Sequence, residues 1–429
     1  MFVNAGRVPA PPVPPGPPEA GAVRIVTAHD FVWRNGLGHY DLPVYQVGNS
    51  HLHRFIWPYL FHFPGLAVLH DARVHHARAE ALISRNREHD YRAEFAWSHP
   101  GVDAGAADLA ILGIEGAFLF LWPMIRGVVE SARLVGAHSR GVAEQMAREY
   151  PHRPIEHIAL GEGPASMDVA DARRSFRRAH GLDETAPVFG VHGSLTADKR
   201  IPDVLAAFAA TLPWVPNARL LLAGQVDYSL DLASRIVRLG LEKAVVQVDR
   251  LDQVEFDRAI AACDVTLSLR WPSALETSGP WVRSLAMGRA TIVIDLPHTT
   301  HVPTLDPRTW RRHAPCPDLD PQADDRAVAV AIDVRDLAHS LVLAMRRLAA
   351  DPQLGARLGA NARAWWEREH TMDRMVDDYE RAIARAITLP APAPDWPAHM
   401  RPDPATHARD LVAGRTWGDP LARGALAGL

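Results

Sequence analysis

The segment SALETSGPWVRSLAMGRATIVID, residues 273–295, carries a carboxylate to the start of a predicted helix. Glu276 lies in the loop before this helix, and Pro280 suits its first turn, where backbone N–H groups have no partner within the helix. Gly288 is typical of the position just after a helix end. Two interpretations are open: Glu276 binds the hydroxyl groups of a polar ligand, or it only interacts with the positive end of the helix dipole.

A second candidate is the segment VFGVHGSLTADKRIPDVLAAF. A predicted strand ends at Gly193, a loop carries Lys199 and Arg200, and a helix begins near Ile201. Backbone N–H groups and two cations would then face one point, which suits a diphosphate. The alternative is a solvated Lys-Arg pair at a turn. Both candidates follow strands of one domain, in the order needed to meet across one sheet edge.

Histidines cluster in a third region, within GNSHLHRF and LHDARVHH. His70 and Asp71 end the apolar run GLAVL, so we expect them to point into a crevice, and His53 follows a Gly-Asn turn. These histidines could contact a polar substrate, stabilise the fold or bind a metal ion. Because no carboxylate has a fixed spacing to them, we expect no metal and no other cofactor.

Apolar strand-like runs alternate with helical patterns along most of the chain, for example from APVFGVHGS to ATIVIDL. Such alternation is typical of βα units and parallel sheets. We therefore predict an α/β fold of two Rossmann-like domains, with a ligand-binding crevice at the carboxyl ends of their strands. The predicted boundaries are a disordered Pro-rich arm over 1–22, a first domain over 23–165, a second domain over 166–372, a terminal helix over 373–388 and a Pro-rich tail over 389–429.

The composition excludes some classes of protein. The 429 residues carry 46 basic and 50 acidic side chains, a formal charge of −4, so no nucleic-acid partner is expected. Cys263 and Cys316 lack metal-ligand spacing and favour a reduced, cytoplasmic setting. Two acidic residues and a proline interrupt the apolar stretch over 104–125, which argues against a membrane span. Its aromatic part, Phe118 to Met124, is a candidate for peripheral contact with a membrane.

Over residues 43–388 the chain resembles a retaining glycosyltransferase of the group 1, or family 4, class, which has the GT-B fold of two Rossmann-like domains. The resemblance is most specific in the second domain and rests on GSLTADKRIPDVLAAF, RLLLAG, ACDVTLSLRWPSALETSG, LAMGRATIVID and LAADPQLGARLGANARAWWEREHTMDRMVDDY. In the first domain, YQVGNSHLHRF and VLHDARVHH resemble one bacterial branch of the class. The resemblance implies transfer of a hexose from a nucleotide sugar to a glycan or lipid-linked acceptor, with retention of anomeric configuration. The implied setting is cell-envelope polysaccharide biosynthesis at the inner face of the membrane.

The same resemblance implies roles for individual residues. Glu276, His70 and Lys199 would be catalytic, and Asn49, His53 and Asp71 would lie on the acceptor side. The residues implied in donor binding are Gly193, Ser194, Lys199, Arg200, Arg250, Glu276, Thr277, Ser278, Gly279 and Ser284.

Two departures concern the donor site. The usual arginine after the glycine is Ser194 here, and we expect Arg200, beside Lys199, to replace its charge. A second glutamate would lie eight positions after Glu276, where this chain has Ser284. A serine makes neutral hydrogen bonds but no charge-assisted one to a ribose. We therefore expect contact with the sugar to be retained and contact with the nucleoside to be altered.

A third departure makes the predicted first domain incomplete. The family begins with a strand and a glycine-rich loop, whereas here VRIVTAHDF is a candidate strand and WRNGLGHY is not followed by a helical pattern. A sheet without its first units would expose a central strand. We expect a misplaced gene start and a longer natural protein; the alternative is a catalytically degenerate protein that binds a nucleotide sugar. A nucleotide-sugar epimerase of the same architecture ranks below both.

Overall fold

The computed structural model describes residues 2–3, 26–114, 117–249, 251–313 and 326–401. Arg250 and Cys316 lie outside the described residues, as do most of the arm predicted over 1–22 and the part of the predicted tail after Arg401.

Contacts divide the chain into two compact units that are not consecutive in sequence. The first unit comprises the described chain up to Gly136, the segment Tyr150–Glu156 and the described chain from Arg381 on. The second comprises Ala137–Glu149 and His157–Glu380. The chain therefore passes between the units several times, in place of the single boundary expected near residue 165.

The first unit and its borders contain two small sheets with helices between the strands. The elements are β1 (Phe2–Val3), β2 (Val26–Thr27), α1 (His29–Gly36), β3 (Val44–Val47), α2 (Ile56–His62), β4 (Leu66–Leu69), α3 (His75–Ile83), α4 (Glu88–Ser98), α5 (Ala106–Ile111), α6 (Phe118–Leu121), α7 (Arg126–Ser131), β5 (Leu134–Ala137) and β6 (Ile155–His157). One sheet has the order β3-β4-β5-β6, and β1 pairs with β2 in a separate parallel sheet. None of the helices in the described ranges is long and apolar enough to cross a membrane.

Strand β3 lies at an edge of the four-stranded sheet, as far as the structure describes it. Its side chains alternate, since Val44 and Gln46 are exposed while Tyr45 and Val47 are buried. Strands β4 and β5 are buried throughout. The strand that was expected to be exposed is therefore β3, an edge strand with every second side chain exposed. The candidate strand VRIVTAHDF is corrected: among its described residues, Val26 and Thr27 pair with β1, and α1 begins at His29.

The second unit contains one eight-stranded sheet. The elements are α8 (Arg140–Glu149), α9 (Val169–Ala179), β7 (Val188–His192), α10 (Ile201–Thr211), β8 (Arg219–Ala223), α11 (Leu232–Arg238), β9 (Val245–Val248), α12 (Gln253–Ala262), β10 (Val265–Ser268), α13 (Gly279–Ala286), β11 (Ala290–Ile294), β12 (Thr304–Leu305), β13 (Arg312–His313), β14 (Ala329–Ile332), α14 (Leu337–Ala350), α15 (Pro352–Glu369) and, crossing into the first unit, α16 (Met372–Thr388). The strand order is β13-β12-β14-β11-β10-β7-β8-β9, and the pairs are parallel except β13 with β12.

Both faces of this sheet are covered, which explains why its strands are almost continuously apolar. Leu220 and Leu222 of β8 pack in the cluster that contains residues of α10 and α14. Leu221 and Ala223 point to the opposite face and pack with residues of α9 and α12. A strand with alternate side chains in two cores has no solvated face, so β8 is fixed in place on both sides.

Two glycines allow α15 to approach the loop after α13. Gly288 follows the C-cap of α13 and has φ +65°, which confirms its predicted place just after the helix. A Cβ at Gly359 of α15 would lie 2.2 Å from the Gly288 carbonyl oxygen. Only a residue without a Cβ fits there, so Gly359 determines how closely α15 packs on the helix that follows Glu276.

We predict that Gly359→Ala destabilises the protein by about 1–3 kcal/mol, because the added methyl group overpacks a backbone contact. Gly355→Ala, in the same helix, is the matched control: a Cβ there meets nothing within 4 Å. Alanine is a better helix former than glycine, so this control should stabilise by about 1 kcal/mol. Urea unfolding of both variants measures the two effects, and equal effects of the same sign would contradict the packing argument.

Candidate functional site

The strand order of the second unit creates a crevice at the end of β7. From β7 the chain continues to β8 and β9 on one side, and then returns to β10 on the other side. The connections after β7 and β10 therefore leave the sheet in opposite directions. In open α/β sheets, ligands bind outside the carboxyl ends of the strands at such a reversal. His192 ends β7 and Ser268 ends β10, so the residues that follow them form the candidate site.

A pocket of about 300 Å³, open solvent included, lies at these strand ends. Its lining includes His192, Lys199, Arg270, Ser278, Pro280 and Ser284. Two segments that the sequence separates by about 80 residues thus meet in one pocket. This is the meeting across one sheet edge that the two motifs predicted.

Lys199 lies in a 3-10 turn, Ala197–Lys199, and is only 7% exposed. Its ammonium donates a hydrogen bond to the His192 carbonyl oxygen, and it sits over Gly193, where a Cβ would lie 3.1 Å from Nζ. Burial, together with the nearby Arg270, lowers the pKa of Lys199 to about 7, against the opposite effect of the carboxylates of Asp198 and Glu276. Gly193 has φ +79°, a conformation that favours glycine. The Lys199 ammonium therefore titrates near neutral pH, and an anion bound beside it would favour its charged form.

Glu276 is held in place on both carboxylate oxygens. Arg270 Nε lies 2.9 Å from Oε1, and the Ser273 hydroxyl donates to Oε2 at 3.0 Å. The same hydroxyl accepts the N–H of Leu275 at 2.9 Å. Leu275 has φ +62°, an uncommon conformation for a branched side chain. Local backbone strain of this kind is concentrated at functional sites, and here it lies directly before Glu276, which contacts the pocket residue Arg270.

The loop after Glu276 leads into the N-terminus of α13. The Thr277 hydroxyl donates to the His138 carbonyl oxygen at 3.0 Å, and the Ser278 hydroxyl accepts the Trp281 N–H at 3.4 Å. Nothing lies within 4 Å of the place where a Cβ on Gly279 would be. The first turn of α13 therefore has open space beside it, and its backbone N–H groups and helix dipole favour a negative charge there.

Arg200 does not join Lys199 in the way the sequence predicted. It adopts φ +57°, and its Nε lies 2.9 Å from Asp203 Oδ2 in the first turn of α10. Ser194 is exposed on the loop after β7. The second cation of the pocket is instead Arg270, which sequence reasoning missed. Its one signal was its place directly after the apolar run VTLSL, at the end of a strand.

Ser284 lines the pocket but is 1% exposed. Its hydroxyl donates to the Pro280 carbonyl oxygen, one turn earlier in α13, at 2.8 Å. The hydroxyl hydrogen is thus used within the helix, which leaves only acceptor capacity for a ligand. Arg250, also predicted to contact the donor, lies outside the described residues.

In the first unit, the predicted acceptor-side residues lie together at the ends of β3 and β4. The backbone N–H of Asn49 donates to Asp71 Oδ2 at 2.7 Å. A Cβ on Gly48 would lie 2.6 Å from His53 Cε1 and 3.2 Å from Asp71 Oδ2, so both side chains pack closely against this glycine. His70 Nε2 is 2.7 Å from Gln46 Oε1. Burial lowers the pKa of His70 and of His53, so both imidazoles are neutral at pH 7.

A second cleft of the second unit, about 460 Å³ with open solvent included, was not predicted. Five histidines line it: His138, His157, His298, His301 and His370. Burial lowers the pKa of His157 and of His298 to about 4. Nowhere in the described ranges do three or more His, Cys, Asp or Glu side chains form a group that could hold a metal ion.

Comparison with known proteins identifies the fold. No family model matches the sequence, and no curated protein matches it. The chain is similar to HepE from Anabaena, solved in complex with UDP and glucose, with a TM-score of 0.54 and 14% identity over 84% of this chain and 86% of that chain. It is similar to sucrose-phosphate synthase from Thermosynechococcus elongatus, with a TM-score of 0.54 and 17% identity over 86% and 82% of the two chains. The chain therefore has an α/β fold of two Rossmann-like domains with parallel sheets, the predicted GT-B fold.

Proposed function

We propose that the protein is a glycosyltransferase, which moves a hexose from a nucleotide sugar to a glycan or lipid-linked acceptor. The observation that carries the proposal is that Lys199, which lines the pocket at the ends of β7 and β10, lies close enough to Glu276 for this carboxylate to act on its pKa. A cation suits a diphosphate, and a carboxylate beside it suits the hydroxyl groups of a sugar. The HepE structure with UDP and glucose has the same fold and supports this proposal.

The proposed reaction breaks the bond between the sugar C1 and the diphosphate oxygen, and it forms a bond between C1 and an acceptor hydroxyl oxygen. Lys199 and the first turn of α13 would stabilise the negative charge that develops on the leaving diphosphate. Glu276 would accept hydrogen bonds from sugar hydroxyls and fix the position of C1. The acceptor proton would pass to the departing diphosphate on the same face, which gives retention, and no metal cofactor is required.

The residues of the first unit would contact the acceptor. Asn49, His53, His70 and Asp71 form a polar group at strand ends, the edge of a parallel sheet where ligands bind. Neutral imidazoles can both donate and accept hydrogen bonds, as hydroxyl-rich substrates require. Cell-envelope polysaccharide synthesis in the cytoplasm is the setting in which we propose this reaction.

Nucleotide binding is the first test. We expect UDP, GDP or ADP, at about 100-fold over its dissociation constant, to stabilise the native protein by roughly 2.7 kcal/mol, a rise in Tm of several degrees. Lys199→Ala and Glu276→Ala should weaken the effect of the nucleotide sugar because they remove the charges that hold it. Differential scanning calorimetry measures the shift.

Glu242→Ala and Lys243→Ala are matched controls, since both side chains are exposed in the turn before β9. They should leave the Tm shift unchanged. No shift with any nucleotide or nucleotide sugar, in a protein that melts cooperatively, would contradict the proposal. A shift without release of the nucleoside diphosphate in the presence of acceptor extracts would favour the binding protein that lacks transferase activity.

The stability of the protein should depend on pH through Lys199. Its pKa is about 7 in the folded state and 10.5 when exposed, so the unfolded chain binds more protons between these values. The wild type should therefore become more stable as pH rises above 7. Relative to Lys199→Met, it should gain roughly 2 kcal/mol between pH 6.5 and pH 8.5.

Urea unfolding at the two pH values measures this difference, and the exposed Lys243→Met variant should show none. A difference between wild type and Lys199→Met that does not change with pH would mean that the ammonium is not held at a depressed pKa.

Peripheral membrane contact is part of the proposal, but other residues than expected would make it. Phe118 and Trp122 pack edge to face with ring centroids 4.5 Å apart, and Trp122 packs in the same way on Phe95. The most exposed apolar side chains of this stretch of the described sequence are Leu112, 74% exposed, and Leu121, 68% exposed. We expect Leu112→Ser with Leu121→Ser to reduce flotation with anionic liposomes. Unchanged flotation of this double variant would contradict the contact.

A further inference from the structure

Arg270 links the two loops that form the pocket. Its Nη1 donates to Asp198 Oδ2 at 2.8 Å, and its Nε lies 2.9 Å from Glu276 Oε1. The backbone adds a second link, because the N–H of Trp271 donates to the Asp198 carbonyl oxygen at 2.7 Å. Asp198 follows β7, whereas Arg270 and Glu276 follow β10. One guanidinium therefore connects both sides of the strand reversal.

Part of this guanidinium remains available. Within the described residues, Nη2 of Arg270 donates no hydrogen bond, and the residue lines the pocket with 25% of its side chain exposed. It is close enough to Lys199 to lower the pKa of that ammonium. A planar guanidinium with a free edge, beside a second cation, matches the geometry of phosphate oxygens.

We propose that Arg270 is the second diphosphate-binding cation of the pocket, and that Asp198 holds it in position until the diphosphate arrives. The proposal rests on the proposed function and adds a residue to it. Arg270 thereby supplies the charge that Ser194 lacks and that Arg200, paired with Asp203, does not bring to the pocket.

The charges around the pocket make the proposal specific. The cations Lys199 and Arg270 lie close to two carboxylates, Asp198 and Glu276. The four charges balance, so the pocket has no excess positive charge for an anionic ligand. A diphosphate must share Arg270 with Asp198, and the two anions compete for one guanidinium. Removal of the Asp198 charge should therefore strengthen diphosphate binding, while removal of Arg270 should weaken it. If the pair between Arg270 and Asp198 had only a structural role, neither change would increase the affinity for diphosphate.

Calorimetric titration of the full chain with inorganic pyrophosphate, UDP, GDP and ADP tests this. The titrations are run at pH 6, below the Lys199 pKa of about 7, so that Lys199 carries its charge in every variant. Arg270→Met should weaken pyrophosphate and any nucleoside diphosphate that binds by roughly tenfold or more. Asp198→Asn, which keeps the size of the side chain, should strengthen both. Arg347→Met is the control, since Arg347 pairs with Asp351 at 3.0 Å in an exposed position.

Several outcomes would overturn the role of Arg270. If Arg270→Met binds pyrophosphate like the wild type and loses only affinity for the nucleotide sugar, Arg270 merely positions Glu276. If Asp198→Asn weakens pyrophosphate binding, the competition does not exist. Should Arg270→Met fail to fold, the Asp198→Asn result decides, because that variant retains the arginine.

The test also separates this role from the proposed function. Pyrophosphate binding by the wild type without binding of any nucleotide or nucleotide sugar would refute the glycosyltransferase proposal, while the pyrophosphate series would still decide the role of Arg270. A wild-type protein that binds neither pyrophosphate nor a nucleotide would refute both.

Discussion

The parallel pairing of β7 with β10 is the constraint on which the candidate site depends. Phe189 lies opposite Val265 and Gly190 opposite Thr266, which brings the ends of two strands together that are more than 70 residues apart in the chain. The following connections leave in opposite directions, and a pocket lies at these strand ends. Each group of the pocket is positioned relative to this one pairing, and covered faces on both sides of the sheet keep the pairing rigid.

The groups of the pocket are unfavourable for folding when taken singly. A buried ammonium, a left-handed leucine and two carboxylates close to one guanidinium each carry a free-energy penalty. They persist because their surroundings determine them: the His192 carbonyl, the Ser273 hydroxyl and the cap at Ser278 satisfy the polar atoms. Forming such a site costs folding free energy, and a bound anion would offset that cost. A site of this kind is stabilised by its ligand rather than by its own contacts.

The sequence predicted the fold class and the alternation of strands and helices, because both follow from patterns within short windows. It also predicted that the loops of Lys199 and Glu276 would meet, because carboxyl ends of parallel strands share an edge. The role of Arg270 could not be found in this way, since its direction is set by Asp198, 72 positions earlier. Arg200 misled for a different, local reason: its left-handed backbone and its pair with Asp203 depend on how α10 begins.

The order of the chain has a consequence for biosynthesis. His399 Nε2 lies 3.1 Å from the buried Glu94 Oε2, and Met400 is 1% exposed in the first unit. The Arg133 guanidinium donates to the Leu389 carbonyl oxygen at 3.1 Å. Domains usually fold from the N-terminus as the ribosome releases them. Here the segment that completes the first unit follows the whole second unit in the chain, so Glu94 and its neighbours remain unpaired with His399 until the second unit has been synthesised.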